Sequence, residues 1–165
     1  MPRRRLPEPF VFYVDECLGR HVVPDAIRGA LQGQESVLTL PQGTLDEAWL
    51  PEAGERWICL TKDAALRRRP HELEAICRVG AAIVLLGEAS GPEQARRVVT
   101  AMPLLRRVAR NTDLAFIVRL EHDIRITVLY EAGEQLARSR TLRLKPGDSR
   151  SESGQGEGQK KKRRR

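Results

Sequence analysis

A three-layer α/β/α fold, with a mostly parallel central sheet and a C-terminal β-hairpin, is what this 165-residue sequence predicts. Three observations carry that expectation. Short apolar runs recur at residues 10–14, 57–60 and 81–86, the pattern of strands buried on both faces of a parallel sheet. Stretches with apolar residues at helical spacing separate them, as right-handed crossovers between parallel strands require. Near the end, residues 114–120 and 124–130 are joined by Glu121-His122-Asp123, a connection short enough for a hairpin that adds an antiparallel edge.

The elements follow in order. Phe10-Val11-Phe12-Tyr13-Val14 is the first strand, and it runs directly into Asp15-Glu16. Leu18, Val22, Ile27, Ala30 and Leu31 mark a helix that Pro24 starts near Val23 and Gly33 ends. Residues 36–40 read as a short second strand, and Pro41-Gln42-Gly43-Thr44 as a turn. Thr44 and Glu47 have capping-box spacing, which predicts a helix from Leu45 to about Leu50, closed by Pro51 and Gly54. The strand at 57–61 leads into Lys62-Asp63. A helical turn follows and breaks at Pro70, which then opens a new helix that Gly80 stops. Residues 81–86 form a further strand, and 92–110 a long helix with apolar positions at Ala95, Val98, Val99, Met102, Leu105 and Val108.

The chain divides into a basic N-terminal tail at 1–9, a folded domain at 10–145, and a C-terminal tail at 146–165. The last is rich in Gly, Ser, Gln and Glu before six basic residues; its composition cannot offset the entropy of ordering, so disorder is expected there. The formal charge of +7 comes from these ends. Arg3 to Arg5 and Lys160 to Arg165 hold nine of the 29 cations, which leaves residues 6–159 with 20 against 22 acids, about −2. Such tails attract polyanions without sequence preference, or simply solubilise. No apolar run approaches the ~18 residues that cross a bilayer, and no signal peptide follows the basic start. Three widely spaced cysteines, Cys17, Cys59 and Cys77, read as reduced structural thiols. A soluble, cytoplasmic protein is expected.

Two strands ending in acids suggest a shared site, since ligands of open α/β sheets bind beyond the carboxyl ends of the strands. Asp15 and Asp63 end two strands, and Asp46 and Glu47 open a helix between them in sequence. Converging carboxylates repel one another and call for a counter-cation. Mg²⁺ or Mn²⁺ suits an all-oxygen set and would activate water toward a phosphodiester. Each acid also has a plainer use, because Asp15, Asp46 and Asp63 could serve as helix caps or complement helix dipoles. Arg67-Arg68-Arg69 could hold RNA phosphates or form a solvated face.

Val14-Asp15-Glu16 after an apolar strand, Asp46 at a helix start, and Leu60-Thr61-Lys62-Asp63 together resemble a PIN-like domain, most closely the VapC-type toxin branch. The likeness covers about residues 10–130. It implies a Mg²⁺- or Mn²⁺-dependent ribonuclease, the toxin of a toxin–antitoxin pair, with an RNA substrate, a cognate antitoxin and a homodimeric assembly. By matching motif it implies Asp15, Asp46 and Asp63 as metal ligands, with Glu16 beside them, and Thr61 as a residue that orients substrate or water. Arg67 and Arg68 stand as substrate-binding residues. The fourth acid usual in this family has no clean counterpart; Glu16 or Glu72 could substitute, and Asp113 and Asp123 precede strands. The alternative is a catalytically inactive PIN-like module that binds RNA or protein. A phosphoacceptor receiver lacks its lysine here, and a dehalogenase-type phosphatase lacks its Asp-x-Asp.

Overall fold

The computed structural model describes residues 3–148, apart from the side chains of Asp46 and Glu47. Among the described residues, strands β1 (Val11–Val14), β2 (Ser36–Leu38), β3 (Trp57–Thr61), β4 (Ala82–Leu86), β5 (Phe116–Leu120), β6 (Ile126–Glu131) and β7 (Glu134–Leu142) form one sheet. Its order is β2-β1-β3-β4-β5-β6-β7. The first five strands are parallel, and β6 and β7 are antiparallel additions. Helices α1 (Val22–Leu31) and α4 (Gly91–Asn111) cover one face, and α2 (Asp46–Ala53) and α3 (Pro70–Val79) cover the other. The architecture is the three-layer α/β/α arrangement, mostly parallel with an antiparallel C-terminal edge, that the sequence predicts.

Strand alternation explains why the runs are wholly apolar. Phe12, Val14, Ile58, Leu60, Ala82 and Val84 point to the α1/α4 layer. Tyr13, Trp57, Cys59, Ile83 and Leu85 point to the α2/α3 layer, where Tyr13 packs on Trp49 and Trp57. Each central strand is therefore buried twice. From β1 the chain passes through α1 to β2 on one side, then through α2 to β3 on the other. The two helices lie on opposite faces, so a crevice opens beyond the carboxyl ends of β1 and β3, the topological switch point.

Several local expectations change. The Thr44 hydroxyl donates to the Pro41 carbonyl at 2.6 Å, and Leu45 rather than Thr44 holds the cap position of α2, without a side-chain cap; the Glu47 side chain of the expected capping box lies outside the described residues. Pro51 lies inside α2 rather than closing it. As the sixth of eight residues it lies past the first turn, so α2 forgoes one intrahelical hydrogen bond there. A side-chain cap does form at α4, where Ser90 Oγ accepts from the Glu93 N–H at 3.3 Å. Strand β7 was not anticipated. Ala132 and Gly133, with φ of 54° and 78°, turn the chain from β6 into it, as a type I′ hairpin needs. Because β6 runs antiparallel, Asp123 sits in the β5–β6 loop at the same sheet edge as Asp15; Asp113 lies at the opposite edge. Residues 124–125, expected in the strand, lie in the loop before it.

Of the N-terminal segment, the Arg4 carbonyl accepts from the Leu114 N–H, Arg5 pairs with Asp113 at 2.9 Å, Leu6 is buried, and Glu8 pairs with Arg110 at 2.6 Å. Of the predicted C-terminal tail, Asp148 accepts from Arg107, and 149–165 lie outside the described residues. Among the described residues no helix is long and apolar enough to cross a membrane.

Phe12 has no exposed surface, so Phe12→Ala is expected to lower the unfolding free energy by about 3–5 kcal/mol, read by urea denaturation. At the start of α4, Glu93 is held down to about 2 by its hydrogen bonds to Arg96 and then Arg97. A depressed carboxylate contributes stability that is present above its unfolded value near 4.5 and is lost as pH falls toward 2. Thermal melts of wild type and Glu93→Gln should therefore differ near neutral pH and converge by about pH 2.

Candidate functional site

Sheet pairing continues one residue past β1, because the Asp15 N–H donates to the Leu60 carbonyl at 3.0 Å. This seats Asp15 beside Thr61 at the end of the neighbouring strand. Thr61 is fully buried. Its hydroxyl donates to Asp15 Oδ2 at 2.7 Å and accepts from the Asp63 N–H at 3.1 Å. The hydroxyl is thus engaged on both sides and joins the two aspartates. Asp15 precedes the 3-10 turn at Glu16–Leu18 but caps nothing, since its carboxylate turns toward β3. Cys17 adds a second donor to Oδ2 at 3.0 Å, and among the described residues Oδ1 takes no hydrogen bond. Burial, above all, pushes the Cys17 thiol up to about 11, so it stays protonated near neutral pH.

Asp63 acts as a cap and faces the same cleft. Its Oδ1 accepts from the Ala65 N–H at 3.0 Å, and Oδ2 from Arg69 at 3.0 Å. Arg69 also grips Glu72 through one nitrogen at 2.7 and 2.8 Å. The Glu72 hydrogen bond, then the charge of Asp63, raises the guanidinium above its already high value. Glu72 is therefore committed to Arg69. Glu16 is exposed, and its Oε2 accepts from the Gly43 N–H at 2.7 Å, tying down the loop that leads from β2 to α2.

A cleft of about 510 Å³ collects Asp15, Glu16, Cys17, Lys62, Asp63 and Glu88 at the carboxyl edge of β1, β3 and β4. Thr44 also lines it, and Asp46 opens α2 two residues later; the Asp46 side chain lies outside the described residues. Arg67 and Arg68 belong to the 3-10 turn Ala64–Arg68; Arg67 is half-buried and Arg68 exposed, and the cleft lining from this turn is Ala64 and Leu66. Among the described residues no three His, Cys, Asp or Glu side chains form a group able to hold a metal ion. Sequence reasoning did not single out Glu88, Lys62 or Cys17 as site residues, and it read Arg69 only within the Arg67-Arg68-Arg69 run. Glu88 had a readable signal, because it follows an apolar run after a single glycine, as Asp15 and Asp63 follow theirs. Lys62 Nζ stands 4.0 Å from its carboxylate.

Residues 10–88 match the family model of a PIN like domain. The match starts just before β1 and ends at Glu88, so it contains β1 to β4 and every residue of the cleft. This part of the chain is similar to a PIN-like domain; the match does not extend to the VapC-type branch. Comparison with curated proteins and with solved structures gives no match.

Replacing Thr61 tests its bridging role. Thr61→Val keeps the shape but leaves the buried Asp63 N–H and Asp15 Oδ2 each short of a partner, and should cost about 1–3 kcal/mol in urea unfolding. Thr61→Ser keeps the hydroxyl and should cost about 1 kcal/mol for the lost methyl. Equal stability of Thr61→Val and wild type would contradict the bridge.

Proposed function

We propose that this protein is a Mg²⁺- or Mn²⁺-dependent endoribonuclease that hydrolyses RNA phosphodiesters. The observation that carries the reading is the meeting of Asp15 and Asp63 at the ends of adjacent strands, joined through the buried Thr61 hydroxyl. PIN domains are commonly nucleases that use divalent metals, and the family match spans this cleft.

The donor chemistry fits such an ion. Carboxylate oxygens line the cleft, and the one sulfur, on Cys17, stays a neutral thiol, a set suited to a hard cation. Asp15 and Asp63 are the proposed principal ligands. Asp46, at the start of α2, completes the set with Glu16 and Glu88 as neighbouring oxygen donors. A bound divalent ion supplies Lewis-acid activation of water and charge neutralisation at the phosphodiester. The protein supplies the rest. Thr61 and Cys17 fix the Asp15 carboxylate, Arg69 fixes Asp63, and Lys62 stands in the cleft where it can meet a phosphate oxygen. Arg67 and Arg68, one turn beyond, are the proposed contacts to the flanking RNA backbone.

The toxin role, a cognate antitoxin, a homodimer and a cytoplasmic setting are finer proposals. They rest on the likeness of Val14-Asp15-Glu16 and Leu60-Thr61-Lys62-Asp63 to VapC-type proteins. Growth arrest on expression, relieved by a small partner encoded beside this chain, is the expected behaviour. A second reading, an inactive module that binds RNA or protein, is favoured by one observation: Arg69 already neutralises Asp63.

Labelled single-stranded RNA separates the two. The enzyme should cleave it with Mn²⁺ or Mg²⁺, lose activity in chelator, and lose on the order of 100-fold or more in Asp15→Asn, since removing even groups that only support ligands costs about 10–100-fold. Binding by both proteins with cleavage by neither supports the module.

A further inference from the structure

Besides Lys62 in its lining, the cleft is met by a cation from outside that lining, Arg69, which pairs with Asp63. Arg69 is placed by the local chain path: the 3-10 turn Ala64–Arg68 ends, Pro70 opens α3, and Arg69 holds extended backbone between them, with φ −91° and ψ 112°. Its guanidinium divides its nitrogens between two acids. One reaches Asp63 Oδ2 at 3.0 Å, and the other both oxygens of Glu72 at 2.7 and 2.8 Å. Glu72 is well shielded, with 14% of its side chain exposed, while Asp63 keeps 33%. The better-shielded acid anchors the guanidinium, and the more open one faces the cleft.

This arrangement has an electrostatic consequence. A fixed positive charge on a carboxylate lowers the attraction that carboxylate has for any second cation, and the effect persists where screening by solvent is incomplete. Glu72 offsets part of that charge. Removing Arg69 or Glu72 therefore shifts the cleft's potential in opposite directions.

We propose that Arg69 is a resident counter-cation that sets the divalent-ion affinity of the cleft, holding it below what the carboxylates alone would give, with Glu72 as the anchor that limits its effect. The inference rests on the metal-dependent reading above. It makes Arg69 a positioning residue for Asp63 whose charge, and not only its shape, matters.

The test is Mn²⁺ binding to the full-length protein, followed by the loss of the free-ion electron paramagnetic resonance signal at low ionic strength, with no RNA present. Arg69→Gln removes the cation and should bind Mn²⁺ roughly threefold or more tightly than wild type. Glu72→Gln removes the anchoring charge and should bind it more weakly. Arg69→Lys retains the charge and should stay within about twofold of wild type. The gap between Arg69→Gln and wild type should shrink as salt is raised. Weaker or unchanged binding in a folded Arg69→Gln protein, checked by circular dichroism, overturns the counter-cation role while leaving the metal reading intact. If Arg69→Gln fails to fold, Glu72→Gln decides alone: unchanged or tighter binding overturns the proposal. No Mn²⁺ binding by wild type overturns both readings.

Discussion

Two parallel strands, β1 and β3, share the hydrogen bond from the Asp15 N–H to the Leu60 carbonyl, and the cleft depends on that pairing. A parallel ladder delivers both strands to the same edge, so the residues that follow each strand must emerge side by side. Thr61 then turns proximity into geometry. A fully buried hydroxyl cannot be left unsatisfied without a free-energy cost, and here it takes the Asp63 amide on one side and gives its proton to Asp15 on the other. The family resemblance implies a substrate- or water-orienting role for this position. In this chain the buried hydroxyl links the Asp15 carboxylate to the Asp63 backbone amide.

Charge is arranged with equal specificity. Around the amino edge and along α4, arginines are matched one by one: Arg5 with Asp113, Arg106 with Glu35, Arg107 with Asp148, Arg110 with Glu8. Only Arg110–Glu8 is about half exposed, and the other three are largely shielded, so solvent and salt screen them less. At the carboxyl edge the balance differs. Asp15, Glu16, Asp63 and Glu88 line one cleft with Lys62, which stands 4.0 Å from a mostly exposed Glu88, while Arg69 approaches Asp63 from behind.

Much of this was legible in the sequence because burial on both faces writes an unbroken apolar run, and such runs end abruptly. Residues 10–14 and 57–60 read as strands for that reason, and Asp15 and Asp63 stood out as their endings. The same reasoning reached Glu121-His122-Asp123 as a hairpin turn. It missed β7, whose residues are mostly exposed and include the charged Glu134, Arg138 and Arg140, so no apolar alternation betrayed an edge strand. The helix start was misplaced by one residue, because Leu45 and not Thr44 takes the cap position of α2, while the Thr44 N–H and hydroxyl both donate to the Pro41 carbonyl of the preceding turn. Arg69 could not be distinguished from Arg67 and Arg68 by composition. Only the chain path between a 3-10 turn and Pro70 selects which of the three faces Asp63.

The same charge distribution constrains how RNA could reach such a site. A cleft lined by four acids repels a phosphate backbone, and residues 6–159 are slightly acidic overall, with 20 cations against 22 acids. Attraction must therefore come from local cations or from the ends of the chain. Lys62 lies within the cleft and Arg67 and Arg68 lie one turn away, so local cations are few and close to the proposed chemistry. Arg4 and Arg5 pair with Glu55 and Asp113, so under the proposed function the long-range, salt-sensitive part falls to Arg3 and to Lys160 to Arg165. Under the proposed function these are separate tasks. The ends raise the local concentration of RNA without choosing a position, and the Lys62 side of the cleft selects which phosphate meets the carboxylates.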